Sequence, residues 1–130
     1  MAKRPGPPPP TDAELDVLRV LWERGASTVR EVHGVITKSK STGYTTVLKQ
    51  MQVMHRKGLL TRSERFTSHL YDAAHPRTLT QRQLAGTLMK QAFGGSARGL
   101  LQSVLAGRTV EPDELAEIRK LLDEYERRRR

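Results

Sequence analysis

Residues 41–60 read STGYTTVLKQMQVMHRKGLL. At 100° per residue, Val47, Met51, Met54 and, more marginally, Leu48 fall on one edge of a helix. Thr42, Thr45, Lys49, Gln52 and Arg56 project opposite, with Thr46 at the side, and the helical stretch holds no acid. Ser41 or Thr42 offers an N-cap and Gly58 a stop, so the spacing predicts a helix running to Lys57. A helix that buries one edge and presents hydroxyls, amides and cations on the rest is suited to an anionic surface rich in hydrogen-bonding groups. The apolar pair Leu59-Leu60 after the stop begins a strand.

Working outward, the flanking segments supply a frame for this helix. Thr11-Asp12-Ala13-Glu14 and Thr28-Val29-Arg30-Glu31 are capping boxes. Leu15, Leu18, Leu21 and Trp22 follow the first box, and Val29, Val32 and Ile36 belong to the second. Downstream, residues 59–63 and 69–73 have strand character and flank a polar tip from Glu64 to Ser68. Three helices and a hairpin are the order of a winged helix-turn-helix. Residues 1–10, rich in proline, are expected to be a disordered arm, with Lys3 and Arg4 either inert or reaching into a groove.

After Ala74-His75-Pro76-Arg77 the pattern becomes wholly helical. Thr80-Gln81-Arg82-Gln83 reads as a third capping box, and Leu84, Leu88 and Phe93 follow it up to Gly94-Gly95. Leu100, Leu101, Val104 and Leu105 form a short amphipathic stretch. Pro112 opens a last helix with the stripe Leu115, Ile118, Leu121, Leu122 and Tyr125. So few residues cannot close a core alone. They either pack on the winged domain or pair with a second copy, and pairing is the expectation. The dimer interface would then hold Leu84, Leu88, Phe93, Leu101, Leu115, Ile118, Leu121, Leu122 and Tyr125. The fold class is thus mainly α with a small β-hairpin wing. Residues 1–10 form the arm, 11–75 the winged helix, 76–126 three dimerisation helices and 127–130 a basic tail.

Charge is distributed to match. The 130 residues carry 23 Lys and Arg against 14 Asp and Glu, a formal charge of +9. Between Lys38 and Arg65 seven cations face one anion, whereas between Thr78 and Glu126 six cations meet seven anions. The middle of the chain therefore favours a polyanion, nucleic acid first. In a major groove Thr45 and Lys49 are the candidates for base contact, because helix-turn-helix readers lead with the N-terminal half. Ser41, Thr42, Tyr44 and Thr46 would hold phosphates, Tyr44 being also a candidate half-buried core residue. Arg62, Arg65 and His69 would straddle the backbone from the wing.

Other functional classes lack their residues. The chain has no cysteine, and His33, His55, His69 and His75 show no metal-ligand spacing, so no metal or cofactor is expected. No nucleophile-base set, glycine-rich phosphate loop or carboxylate pair stands out, so no catalytic residue is assigned. No run approaches the roughly 18 apolar residues of a membrane span, and no signal peptide is legible, so a cytoplasmic protein without membrane insertion is the expectation.

The order of these segments resembles the penicillinase-repressor (BlaI/MecI/CopY) family of bacterial transcription regulators. The likeness runs through residues 11–18 with Leu21-Trp22, Thr28-Val29-Arg30-Glu31-Val32, Tyr44-Thr45-Thr46-Val47-Leu48, Lys57-Gly58-Leu59-Leu60, His69-Leu70-Tyr71, Phe93-Gly94-Gly95-Ser96 and residues 115–122. It covers about residues 11–126. The resemblance implies a homodimeric repressor whose winged helices bind double-stranded DNA at a palindromic operator. In the antibiotic-resistance members, a membrane metalloprotease sensor system triggers cleavage of the C-terminal domain. The matching position falls near Ser96 to Gly99, where Ser96-Ala97-Arg98-Gly99 lacks the Asn-Phe type of pair of those members. Proteolysis and another inducing route both stay open. The cysteine motif of the copper-responsive branch is absent. The competing readings are a winged-helix protein-interaction adaptor and a non-specific DNA-associated protein.

Overall fold

The computed structural model describes residues 7–129 of the chain. Two units divide after Leu84. The first contains α1 (Asp12–Arg24), α2 (Val29–Ile36), α3 (Tyr44–Arg56), β1 (Leu60–Arg65) and β2 (Ser68–Ala73). Helix α4 (Arg77–Phe93) begins in the first unit and ends in the second, which also holds α5 (Ala97–Gly107) and α6 (Pro112–Arg129).

Both capping boxes form as read. Thr11 Oγ1 accepts from the Glu14 amide while Glu14 Oε1 accepts from the Thr11 amide, and Thr28 and Glu31 repeat the exchange. Each box satisfies two of the orphan N–H groups of a helix start. The core is built by Val17, Leu18, Val20 and Leu21 of α1, Val29, Val32 and Ile36 of α2, and Val47, Met51 and Met54 of α3. Leu59, Leu60 and Tyr71 close it from the wing. On α1 the buried face is rotated from the expected one: Val17 and Val20 fill the interior, while Leu15 and Trp22 are half-buried.

The third helix starts later than the hydroxyls suggest. Its N-cap is Gly43, with no side-chain hydrogen bond, rather than Ser41 or Thr42. It ends as expected. Gly58 adopts φ 83°, its amide donates to His55 O at 3.1 Å, and the Leu59 amide donates to Met54 O at 2.9 Å. This pair of bonds is a Schellman closure, which sends the chain directly into β1.

β1 and β2 pair antiparallel from Leu60↔Ala73 to Arg65↔Ser68, leaving a two-residue turn of Phe66 and Thr67. The base of this hairpin is held by a bridge that the sequence pattern did not reveal. Ser27 and Tyr71 exchange both backbone hydrogen bonds at 2.8 Å, so the α1–α2 connection acts as a one-residue third strand. A partly buried ion pair ties the start of α1 to the end of α3. Lys57 Nζ, just past α3, donates to both carboxylate oxygens of Glu14, at 2.7 and 3.0 Å.

The capping box expected at Thr80 does not form a helix start. Helix α4 begins at Arg77, and the Leu79 and Thr80 amides donate back to Pro76 O. Proline is at home in a first helical turn because it lacks the N–H that would go unpaired there. Thr80 is therefore inside the helix, and it is buried. In the same unit Arg77 lies over the Trp22 ring at 5.4 Å, Gln83 Nε2 donates to Pro7 O at 2.6 Å, and Pro10 is buried. Residues 1–6 of the proline-rich arm, with Lys3 and Arg4, lie outside the described residues.

In the second unit Gly94 and Gly95 break the helix with φ 56° and 84°. Ser96 then caps α5, its Oγ accepting from the Gly99 amide at 2.9 Å. Pro112, Asp113 and Glu114 open α6, which continues through Arg127–Arg129, residues that the sequence pattern set apart as a tail. Neither α5 nor α6 buries a single residue.

Candidate nucleic-acid interface

The free surface of α3 follows from what its other side is doing. Val47, Met51 and Met54 are committed to the core, which leaves Tyr44, Thr45, Thr46 and Lys49 exposed along the N-terminal half. Ser41 is exposed and Thr42 half-buried in the turn before it. His33 fixes that turn: its Nε2–H donates to Thr42 O at 2.9 Å, since a carbonyl oxygen can only accept, and its ring meets Tyr44 edge-on at 5.8 Å. Tyr44, at 43% exposure, is thus braced without being buried.

The start of α3 differs from the other two helices of the winged domain in a way that matters for anions. With glycine at the cap, no side chain covers the first amides of α3. They point, together with the positive end of the helix dipole, toward the surface that carries Tyr44, Thr45 and Thr46.

Five cations of the run from Lys38 to Arg65 have no ion-pair partner among the described residues: Lys38, Lys49, Arg56, Arg62 and Arg65. Two others are already engaged. Lys40 Nζ lies 2.8 Å from Asp16 Oδ2, and Lys57 serves Glu14. The Lys40 hydrogen bond comes first among the effects that hold the Asp16 carboxyl below its ordinary range. The usable charge is therefore narrower than the run of cations in the sequence suggests, and it is concentrated on α3 and the wing.

The hairpin register sorts the wing residues. Arg62 pairs with Tyr71 and Glu64 with His69, so these four share one face of the ribbon, while Arg65 and Ser68 share the other. Arg62, Arg65 and His69 are all exposed. Between wing and helices lies a notch of about 310 Å³, lined among others by Thr28, Arg30, Tyr44, Ser68 and His69. Arg30, exposed in the first turn of α2, was not singled out from the sequence. Its place in a capping box drew attention to Thr28 and Glu31 instead. The available signal was its position on the helix preceding α3, the one that crosses the backbone in helix-turn-helix proteins.

The sequence profile of the family described as penicillinase repressor matches residues 10–124. The chain belongs to that family. Two relatives, both described as transcriptional regulator BlaI, come from Mycobacterium tuberculosis strains CDC 1551/Oshkosh and ATCC 25618/H37Rv. Each is 29% identical over 118 residues, which is 88% of this chain and 83% of the relative. Members of the family are transcriptional repressors rather than enzymes.

The residues assigned to a dimer interface are in the second unit, apart from Leu84 at the division. None is buried. Leu88, Leu101, Leu121, Leu122 and Tyr125 are exposed, while Leu84, Phe93, Leu115 and Ile118 are partly covered. Val104 and Leu105 of α5, which the assignment left out, are exposed as well. No helix among the described residues is long and apolar enough to cross a membrane.

Proposed function

We propose that this chain is a homodimeric, sequence-specific repressor that binds a palindromic operator. The observation that carries the reading is the outer face of α3: an acid-free array of Tyr44, Thr45, Thr46 and Lys49 at an uncapped helix start, flanked by Arg62 and Arg65. Lys49 and Thr45 face base edges in the major groove, where lysine suits guanine and threonine suits the thymine methyl. Ser41, Thr42, Tyr44, Thr46 and the first amides of α3 take phosphates, and Arg30, Arg62, Arg65 and His69 hold the backbone from either side.

The pairing of two chains rests on the second unit. Helices α5 and α6 expose Leu101, Val104, Leu105, Leu121, Leu122 and Tyr125, and no element among the described residues covers them. Apolar side chains left uncovered on two helices favour association with another surface. A two-fold dimer then presents two copies of α3 about one helical turn apart, roughly 34 Å, and asks for a two-fold operator. For the release signal, cleavage at Ser96–Gly99 by a membrane metalloprotease sensor system would have to open the first turn of α5, where Ser96 caps Gly99.

The test is selection of bound duplexes from a random pool, followed by footprinting and sedimentation. The expected result is an inverted repeat protected by a dimer. Binding with no preference over competitor DNA would overturn sequence-specific repression, and a monomer on DNA would overturn the dimer.

A further inference from the structure

The tip of the wing carries a residue that neither fold nor charge explains. Phe66 is 94% exposed, with its ring held clear of the protein. It is also the one non-glycine residue with positive φ among the described residues, at 56°. The turn needs this conformation, because only two residues join the paired Arg65 and Ser68. Glycine or asparagine would adopt it at lower cost than an aromatic residue. A bare ring gains nothing from burial in the free protein, so stability accounts neither for the residue nor for its backbone. Residues held in such conformations concentrate at binding sites.

We infer that Phe66 is an apolar wedge that enters the DNA minor groove beside the major-groove segment occupied by α3. The inference rests on the DNA-binding reading given above. Its surroundings select the occupant. Arg65 precedes it and Arg62 lies on the same strand, both without an ion-pair partner among the described residues, so the tip is steered toward polyanion. A phenyl ring cannot take a phosphate, but it fits the sugar walls and base-pair edges of the minor groove, where Phe is one of the residues used to open base steps. The notch beneath the tip, lined by Tyr44 on α3 and by Thr67, Ser68 and His69 on the wing, supplies the geometry. One sugar-phosphate strand lying in that notch separates α3 and Phe66 into neighbouring grooves. Phe66 would then read how easily the flanking steps open, a preference that hydrogen-bonding side chains do not register.

The test compares the full-length protein with Phe66→Gly and Phe66→Leu on a duplex selected from the random pool. Phe66→Gly should weaken binding about tenfold without changing the salt dependence, since no cation is lost. It should not lower the melting temperature, because glycine accepts the turn. Phe66→Leu should stay within about threefold of the parent, as leucine is also a wedge residue. Hydroxyl-radical cleavage, which attacks deoxyribose from the minor groove, should lose protection beside the α3 site in Phe66→Gly alone. Unchanged affinity or footprint for Phe66→Gly overturns the wedge while leaving the DNA reading intact. A weakened variant whose sedimentation in the absence of DNA also changes overturns it in favour of a protein contact. No duplex binding by the parent chain would overturn the DNA reading itself.

Discussion

Replacing Glu14 by glutamine isolates the least exposed ion pair among the described residues. The Glu14 side chain is 5% exposed and that of Lys57 33%. Glutamine is as good as glutamate at the third position of a capping box, so its carbonyl oxygen can still accept from the Thr11 amide. What disappears is the negative charge facing Lys57 Nζ. Breaking a fully buried pair costs about 3–5 kcal/mol. Lys57 is a third open to water and can turn its ammonium outward, so the loss here should be about 1–2 kcal/mol. Urea unfolding at fixed protein concentration measures it at neutral pH.

The same pair contributes to the pH dependence, beside the Asp16 and Glu31 carboxyls, which are also lowered. Burial pushes the Glu14 carboxyl up, but the hydrogen bond and charge of Lys57, with the bonds from Thr11, outweigh it and leave the group below its ordinary value of 4.5. A depressed folded pKa means that stability is fully present above the unfolded value and is lost as pH falls through the folded one. The parent protein should therefore converge on Glu14→Gln as the pH drops below about 4.5. A difference under about 0.5 kcal/mol at pH 7, the size of an ordinary surface substitution, would refute the reasoning. So would a gap that persists or widens in acid.

Lys49→Ala should cost about 1–3 kcal/mol on the selected operator and less on random DNA, read by fluorescence anisotropy; equal loss on both would remove Lys49 from base readout. Arg65→Ala should weaken every sequence alike and lower the slope of log K against log salt by about 1. Leu122→Asp, on a helix that buries nothing, should shift sedimentation from dimer to monomer while leaving the helical circular-dichroism signal in place. Gly58→Ala should lower stability by about 1 kcal/mol through backbone strain alone, because an added Cβ at φ 83° meets no atom within 4 Å. Thermal unfolding checks it, and an unchanged midpoint would count against the strain.

How far the molecule was legible in its sequence depended on the range of each interaction. The capping boxes at Thr11 and Thr28 lie within four residues, and the Val47, Met51, Met54 edge has a fixed period, so both could be read directly. The start of α3 could not. Ser41, Thr42 and Gly43 are all acceptable caps, and what decides between them is the His33 bond to Thr42 O, nine positions away. Thr80 misled for a related reason: its box pattern is local, whereas the proline before Arg77 and the burial of Thr80 decide the outcome. Glu14 with Lys57 and Ser27 with Tyr71 are joined only by the fold, and no periodicity connects them. The exposed face of α3 was legible because a face left out of the core is exposed by default. Phe66 was hidden inside a tip read as polar, since exposure of an aromatic residue depends on the turn and not on its neighbours' composition.

The bridge between Ser27 and Tyr71 makes the wing a lever. Its two 2.8 Å bonds are the fulcrum, and five residue steps of strand and turn lead from Tyr71 to Phe66, an arm of at most about 16 Å at 3.3 Å per residue. A tilt of about 10° at the fulcrum would sweep the tip through roughly 3 Å, enough to move a side chain out of hydrogen-bonding range. On the DNA-binding reading proposed above, the aim of the wing would be set in the short link after α1, where Ser27 adjoins Thr28 in the lining of the notch. Substitutions at Gly25, which sits at φ 82°, or at the buried Ser27 would then alter aim as well as stability.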